Sequence, residues 1–186
     1  MKFVAENIRS SLFSISSLLK NLIQWSRSDQ QVIEDIASID ILDTLENLLF
    51  HNENGFTRKS VRIHIQIEKE SSFLIQKEIF LAVLQVFIES ASRFIAKNGE
   101  LFVSHSIEGR NQSLVFQMIG FKITTEQFNN LFDLDYYHRN DLTYFEKGSG
   151  LGFVITQKLI EKLNGRINKF VHGKDDVFFE ITFPMA

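Results

Sequence analysis

Three glycines at alternate positions, Gly148, Gly150 and Gly152, open the stretch richest in possible chemistry. A residue without a Cβ lets the backbone come close to a phosphate. An apolar helical pattern follows at Val154, Ile155, Leu159, Ile160 and Leu163, with Gly165 as its stop. A glycine loop that opens a helix turns free N–H groups and a positive dipole end toward an anion. Phosphate binding is therefore the chemistry to weigh. The plainer reading is a tight turn before a buried helix, and for a lone Gly-x-Gly that reading usually wins. Other candidates are weaker. His51, His64, His105, His138 and His172 are scattered without ligand spacing. His138 lies beside Tyr136 and Tyr137 and reads as a surface side chain, with a phosphate carrier as the bolder reading. Glu89 reads as a solvated helix residue rather than a general base.

The chain of 186 residues is long enough for one domain with a sizeable core and a helical appendage. A formal net charge of −3 gives no electrostatic footprint for nucleic acid. With no cysteine there is neither a disulfide nor a thiolate metal site. No apolar run is long enough to span a bilayer, and Met1-Lys-Phe-Val-Ala offers no signal-peptide core. The expectation is a cytoplasmic protein. One proline and 19 phenylalanines predict few breaks and a core filled by rings.

Elements must hold the glycine loop in place. Residues 1–36 predict one long amphipathic helix, with Ile8, Leu12, Ile15, Leu18, Leu19, Leu22, Ile23 and Trp25 at three- and four-residue steps. Its apolar stripe needs a partner, and packing on the same helix of a second chain is preferred to packing on its own domain. Ile39–Leu42 suggests a short edge strand, and Asp43 suggests the N-cap of a helix through Leu49. Asn52–Gly55 predicts a turn. Val61–Glu68 and Ser71–Ile75 predict strands, and Lys77–Ala96 a strong helix. Two hairpins follow, Leu101–Ile107 with Ser113–Ile119 and Gly165–Val171 with Asp176–Phe183. Between them come a short helix capped by Thr124 or Thr125, a mobile loop over Asp133–Lys147, and the glycine-opened helix. The interleaving predicts an α+β fold, a two-layer α/β sandwich over residues 37–186 preceded by the long helix.

This order resembles the catalytic ATP-binding domain of sensor histidine kinases, the Bergerat-fold or GHKL ATPases. Gly148-Ser-Gly-Leu-Gly-Phe153 with Gln157–Gly165 is similar to the second glycine box and its helix. Asn129-Asn-Leu-Phe-Asp133 is similar to the phenylalanine box. Leu22–Asp29 resembles the end of the second dimerisation helix. The resemblance implies Ser90, Arg93, Gly120, Gly148, Gly150, Leu151 and Gly152 as nucleotide-binding positions, with ATP and Mg²⁺ as ligands.

The departures are at the residues that do the gripping. Family asparagines fall at Val86 and Ser90, the second being the Mg²⁺ ligand. A valine cannot ligate a metal, and a serine hydroxyl suits a hard octahedral cation poorly. The aspartate that holds the adenine amino group falls at Met118, and the second glycine of that box at Lys122. Methionine accepts a hydrogen bond only weakly. Lys122 either mimics a cation or blocks the pocket. No histidine lies in the first fifty residues, so the usual phospho-acceptor is missing. An alternative register sets Glu6 in its place.

Three functions are consistent with these residues. The preferred one is a degenerate, catalytically impaired relative in two-component signalling. It would dimerise through residues 1–36 and bind a response regulator or a histidine kinase, exposing Leu18, Leu22 and Trp25. The second is a divergent histidine kinase or ATPase that still binds nucleotide. The third is a histidine phosphotransferase, which would need His51 or His138 as carrier.

Overall fold

The computed structural model describes residues 36–139 and 151–185. The long helix expected over residues 1–36 lies outside them except for Ile36, and that residue opens a strand. Two compact units emerge. The larger holds residues 34–124 and 159–186, and the smaller includes residues 125–158.

The larger unit is built on a five-stranded sheet of β2 (Arg62–Gln66), β4 (Ile95–Glu108), β5 (Asn111–Phe121), β7 (Asp176–Pro184) and β6 (Arg166–His172), in that spatial order. β2 runs parallel to β4, and every other pairing is antiparallel. A separate two-stranded sheet pairs β1 (Ile36–Asp40) with β3 (Ser72–Gln76). The helices of this unit are α1 (Ile41–His51), α2 (Glu53–Lys59) and α3 (Lys77–Phe94). The α+β sandwich expected from the pattern is therefore present.

Period decides burial. α3 buries Ile79, Phe80, Val83, Leu84, Phe87, Ile88 and Ala91, spaced by three and four. Leu101, Val103, Leu114, Phe116, Met118, Val177, Phe179 and Ile181 alternate along their strands and are all buried. The rings interlock: Phe87 stacks on Phe116 at 4.9 Å and meets Phe179 edge-on at 5.4 Å. Phe80 does the same with Phe183 at 5.8 Å. Each buried Phe contributes about 1.5–3 kcal/mol of hydrophobic stabilisation, as does each buried Ile, Leu or Val around it.

Several local expectations need correction. Asp40, not Asp43, caps α1: its Oδ1 accepts from the Asp43 N–H at 2.9 Å. The β1 strand ends two residues earlier than the apolar run suggested, which brings Asp40 to the capping position. Asn52–Gly55 is not a free turn, since α2 begins at Glu53. Gly55 sits inside that helix because a Cβ there would stand 1.9 Å from Ser92 Oγ. Gly165 is not the left-handed stop of the last helix. Asn164 takes that conformation, with φ of 56°. Gly165 is instead a space requirement: a Cβ would fall 2.6 Å from the Phe183 ring.

In the smaller unit, α4 (Thr125–Asn129) and α5 (Leu134–Arg139) precede α6 (Leu151–Lys162), which begins here and ends in the larger unit. The segment from Asp133 is not wholly a loop. Asp133 Oδ1 accepts from the Asp135 and Tyr136 N–H groups at 2.8 and 3.2 Å and starts α5. Residues 140–147 of the expected loop lie outside the described residues. Phe128, Leu131 and Phe153 are buried, and Phe132 meets Phe153 edge-on at 6.1 Å. Among the described residues no helix is long and apolar enough to cross a membrane.

Candidate functional site

Two elements of the larger unit carry the positions singled out for nucleotide. On α3, Val86, Ser90 and Arg93 follow one another at steps of four and three, so they share one helical face. Val86 and Ser90 are both buried. Arg93 keeps exposed surface, although partial desolvation lowers its pKa; Glu89, one turn earlier, pulls the other way.

Met118 is fully buried on β5, paired with Leu101 on one side and Val177 on the other. Two residues on, Gly120 has φ of +81°, a conformation that side chains with a Cβ rarely adopt. A Cβ there would meet only ordinary contacts at 3.7 Å, so the backbone angle and not space selects glycine. The Gly120 and Phe121 N–H groups both donate to the Asp175 carbonyl, at 2.8 and 2.9 Å. The Lys122 N–H donates to the Phe94 carbonyl at 2.9 Å, which ties the end of β5 to the end of α3.

The sequence allows Lys122 two roles, a cation mimic or a block of the pocket. Its ammonium lies 3.1 Å from Asp175 Oδ2, in the turn between β6 and β7. It is therefore paired within the sheet unit.

A cationic side chain that the sequence pattern did not flag closes the same helix end. Lys59 Nζ donates to the carbonyls of Ser92, Arg93 and Ile95, and burial lowers its pKa. Those carbonyls are the unpaired acceptors that every helix C-terminus leaves. The signal was a lysine thirty-odd residues away, which no local window would detect.

Of the glycine box, Gly152 is the second residue of α6 and Leu151 its first. Gly148 and Gly150 lie outside the described residues. Thr156 on the same helix is buried, and its hydroxyl has no hydrogen-bond partner among the described residues.

No family model matches the chain. Sensor histidine kinase GlrK of Escherichia coli (strain K12) is 20% identical over 186 residues, covering all of this chain and 39% of that protein. The chain thus spans well under half the length of that curated relative. Among solved structures, the Acinetobacter baumannii histidine kinase AdeS superposes with a TM-score of 0.74 at 20% identity, over 94% of this chain and 80% of AdeS. The catalytic domain of histidine kinase ThkA gives 0.69 at 15% identity, over 81% of this chain and 96% of ThkA. The fold is that of histidine kinase catalytic domains. In sequence the chain is similar to sensor histidine kinases along its whole length.

Proposed function

We propose that the chain is a histidine-kinase-like signalling module with impaired nucleotide chemistry, which acts by binding a response regulator or a histidine kinase. One observation carries this reading. Val86, Ser90 and Met118 occupy three positions where the resemblance calls for amide and carboxylate oxygens, and all three are buried. A valine, a hydroxyl and a thioether provide neither firm Mg²⁺ ligation nor a strong acceptor for an adenine amino group. Phosphoryl transfer depends almost wholly on positioning and charge stabilisation, so loss of these contacts removes the reaction before it weakens the fold. Residues 1–36 would supply the homodimer contact, and Leu18, Leu22 and Trp25 the docking face. Calorimetric titration of the full chain with ATP, with and without Mg²⁺, tests the first half. No binding heat is expected, while purified response-regulator receiver domains or a histidine kinase bind. Submillimolar Mg-ATP affinity with turnover sinks the proposal.

A second reading, retained nucleotide binding, has one observation in its favour. Gly120 keeps a positive-φ backbone, at φ of +81°, that most residues with a Cβ adopt only under strain. The same titration decides it: binding of ATP without turnover supports this reading over the first.

A further inference from the structure

The β4–β5 hairpin carries the inner face of the sheet outward to a cleft of about 350 Å³ in the larger unit. The inner-face row Leu101, Val103 continues there as His105 and Ile107, and Ile107 pairs in register with Gln112. This is a different set of residues from the nucleotide positions described above. Three observations mark it as a binding site and not a packing fault.

First, large apolar side chains are left at the surface around one opening. Leu74, Ile107 and Met185 are 55%, 59% and 43% exposed, and all three line the cleft. Second, polar groups converge on the same space. His105 lines it, and its Nε2 is closed to solvent and has no hydrogen-bond partner among the described residues. Gln112, only 6% exposed, lines it too. A buried polar atom left unpaired is unfavourable, and a ligand head group would satisfy it once the His105 ring turns toward the cleft. Third, the walls are fixed. The Ile41 N–H donates to the Ser71 carbonyl at 3.1 Å, and Phe73 of β3 meets the His105 ring at 5.6 Å. Glu70, on the rim, is held at φ of +69°. A small apolar cleft, preformed and with a few convergent polar groups, is how small-molecule sites are built.

We propose that this cleft binds a small molecule with an apolar body and one neutral or cationic hydrogen-bonding head. The apolar body rests on Leu74, Ile107 and Met185, and the head bonds to His105 and Gln112. Charge sets the sign: among the described residues the lining contains the Glu70 carboxylate and no lysine or arginine, so an anionic head is disfavoured.

Three probes of one ring size test this on the isotope-labelled full chain by amide chemical-shift titration: benzyl alcohol, benzylamine and benzoate. The expected result is saturable shifts at Leu74, His105, Ile107 and Gln112 with the alcohol and the amine, and at least threefold weaker binding of benzoate. Leu74→Asp, at an exposed position, should abolish saturation without unfolding the chain. His105→Phe should keep the ring and weaken the alcohol several-fold. Absence of saturation by either probe, unchanged binding in Leu74→Asp, or equal shifts around exposed Phe50 and Phe170 would each overturn the proposal. Benzoate binding as tightly as benzylamine would overturn its charge rule.

Discussion

Lys122 Nζ stands 3.1 Å from Asp175 Oδ2, and the same Asp175 accepts the Gly120 and Phe121 N–H groups through its carbonyl. One turn residue thus grips the end of β5 at three points. The side-chain part is an ion pair between partly exposed groups, 64% and 37% accessible, so it contributes little. Asp175→Asn should cost no more than about 1 kcal/mol in urea unfolding, because the carbonyl contacts survive. Lys122→Gly should leave ATP binding as it was, since removing a paired lysine does not restore the adenine or metal contacts. A gain of ATP affinity in Lys122→Gly alone would show that the lysine blocks the pocket.

The side chains that the resemblance calls for can be introduced. Val86→Asn, Ser90→Asn and Met118→Asp together should lower stability in the absence of nucleotide, because each places a polar group in a buried position. Each such group costs about 1–3 kcal/mol if unpaired. Mg-ATP should then raise the melting temperature of the triple variant and leave the parent unchanged. Binding at a hundred times Kd adds about 2.7 kcal/mol, which a thermal shift resolves easily. An equal shift in the parent would mean that Val86, Ser90 and Met118 do not impair binding.

Much of this was legible from pattern alone, and the reasons are physical. α3 and the two hairpins announced themselves because a sheet-and-helix core forces period 2 against period 3.6. The departures at Val86, Ser90 and Met118 stand on the resemblance, which sets an expected chemistry at each position, and the triple variant is their test. What escaped was non-local. Gly55 looked like a turn because its reason to be glycine, Ser92 on another helix, is 37 positions away. Gly165 looked like a helix stop because nothing nearby reveals the Phe183 ring. The Lys59 cap on α3 and the Asp175 grip on β5 are likewise tertiary contacts between distant segments. The Asp133 cap of α5 was missed for a different reason: six residues are too few to show a helical period.

Lys59 offers a direct check on the first of those contacts. Its ammonium donates to three carbonyls at the end of α3, the helix that carries Val86, Ser90 and Arg93. Lys59→Met keeps most of the apolar stem and removes the donors. Leaving partly buried carbonyls unpaired costs about 1–3 kcal/mol, so the urea midpoint should fall at unchanged slope. Lys59→Arg should recover part of the loss. A midpoint unchanged in Lys59→Met would mean that water satisfies those carbonyls equally well.

Glu100 makes the outer face of the sheet sensitive to acid. It bonds to Arg62 through Oε1 and to His64 Nε2 through Oε2 at 3.0 Å, across the β2–β4 ladder. The Arg62 hydrogen bond is the main cause that holds its pKa below the ordinary carboxylate value, with His64 adding to it and desolvation opposing. A carboxylate whose folded pKa is depressed stabilises the fold above its unfolded pKa and loses that contribution as pH falls through the folded value. The window is therefore the acid side of the ordinary glutamate range, and nothing should change near neutrality. Glu100→Gln should abolish this part of the acid dependence, so the stability curves of parent and variant should differ at neutral pH and converge on acidification. Because β2 is the edge strand and this contact links it to β4 beside their backbone ladder, amide exchange at Ile63 and Ile65 should accelerate first in acid. Parallel curves for parent and variant through the acid range would show that the Arg62–Glu100 contact is not formed in solution.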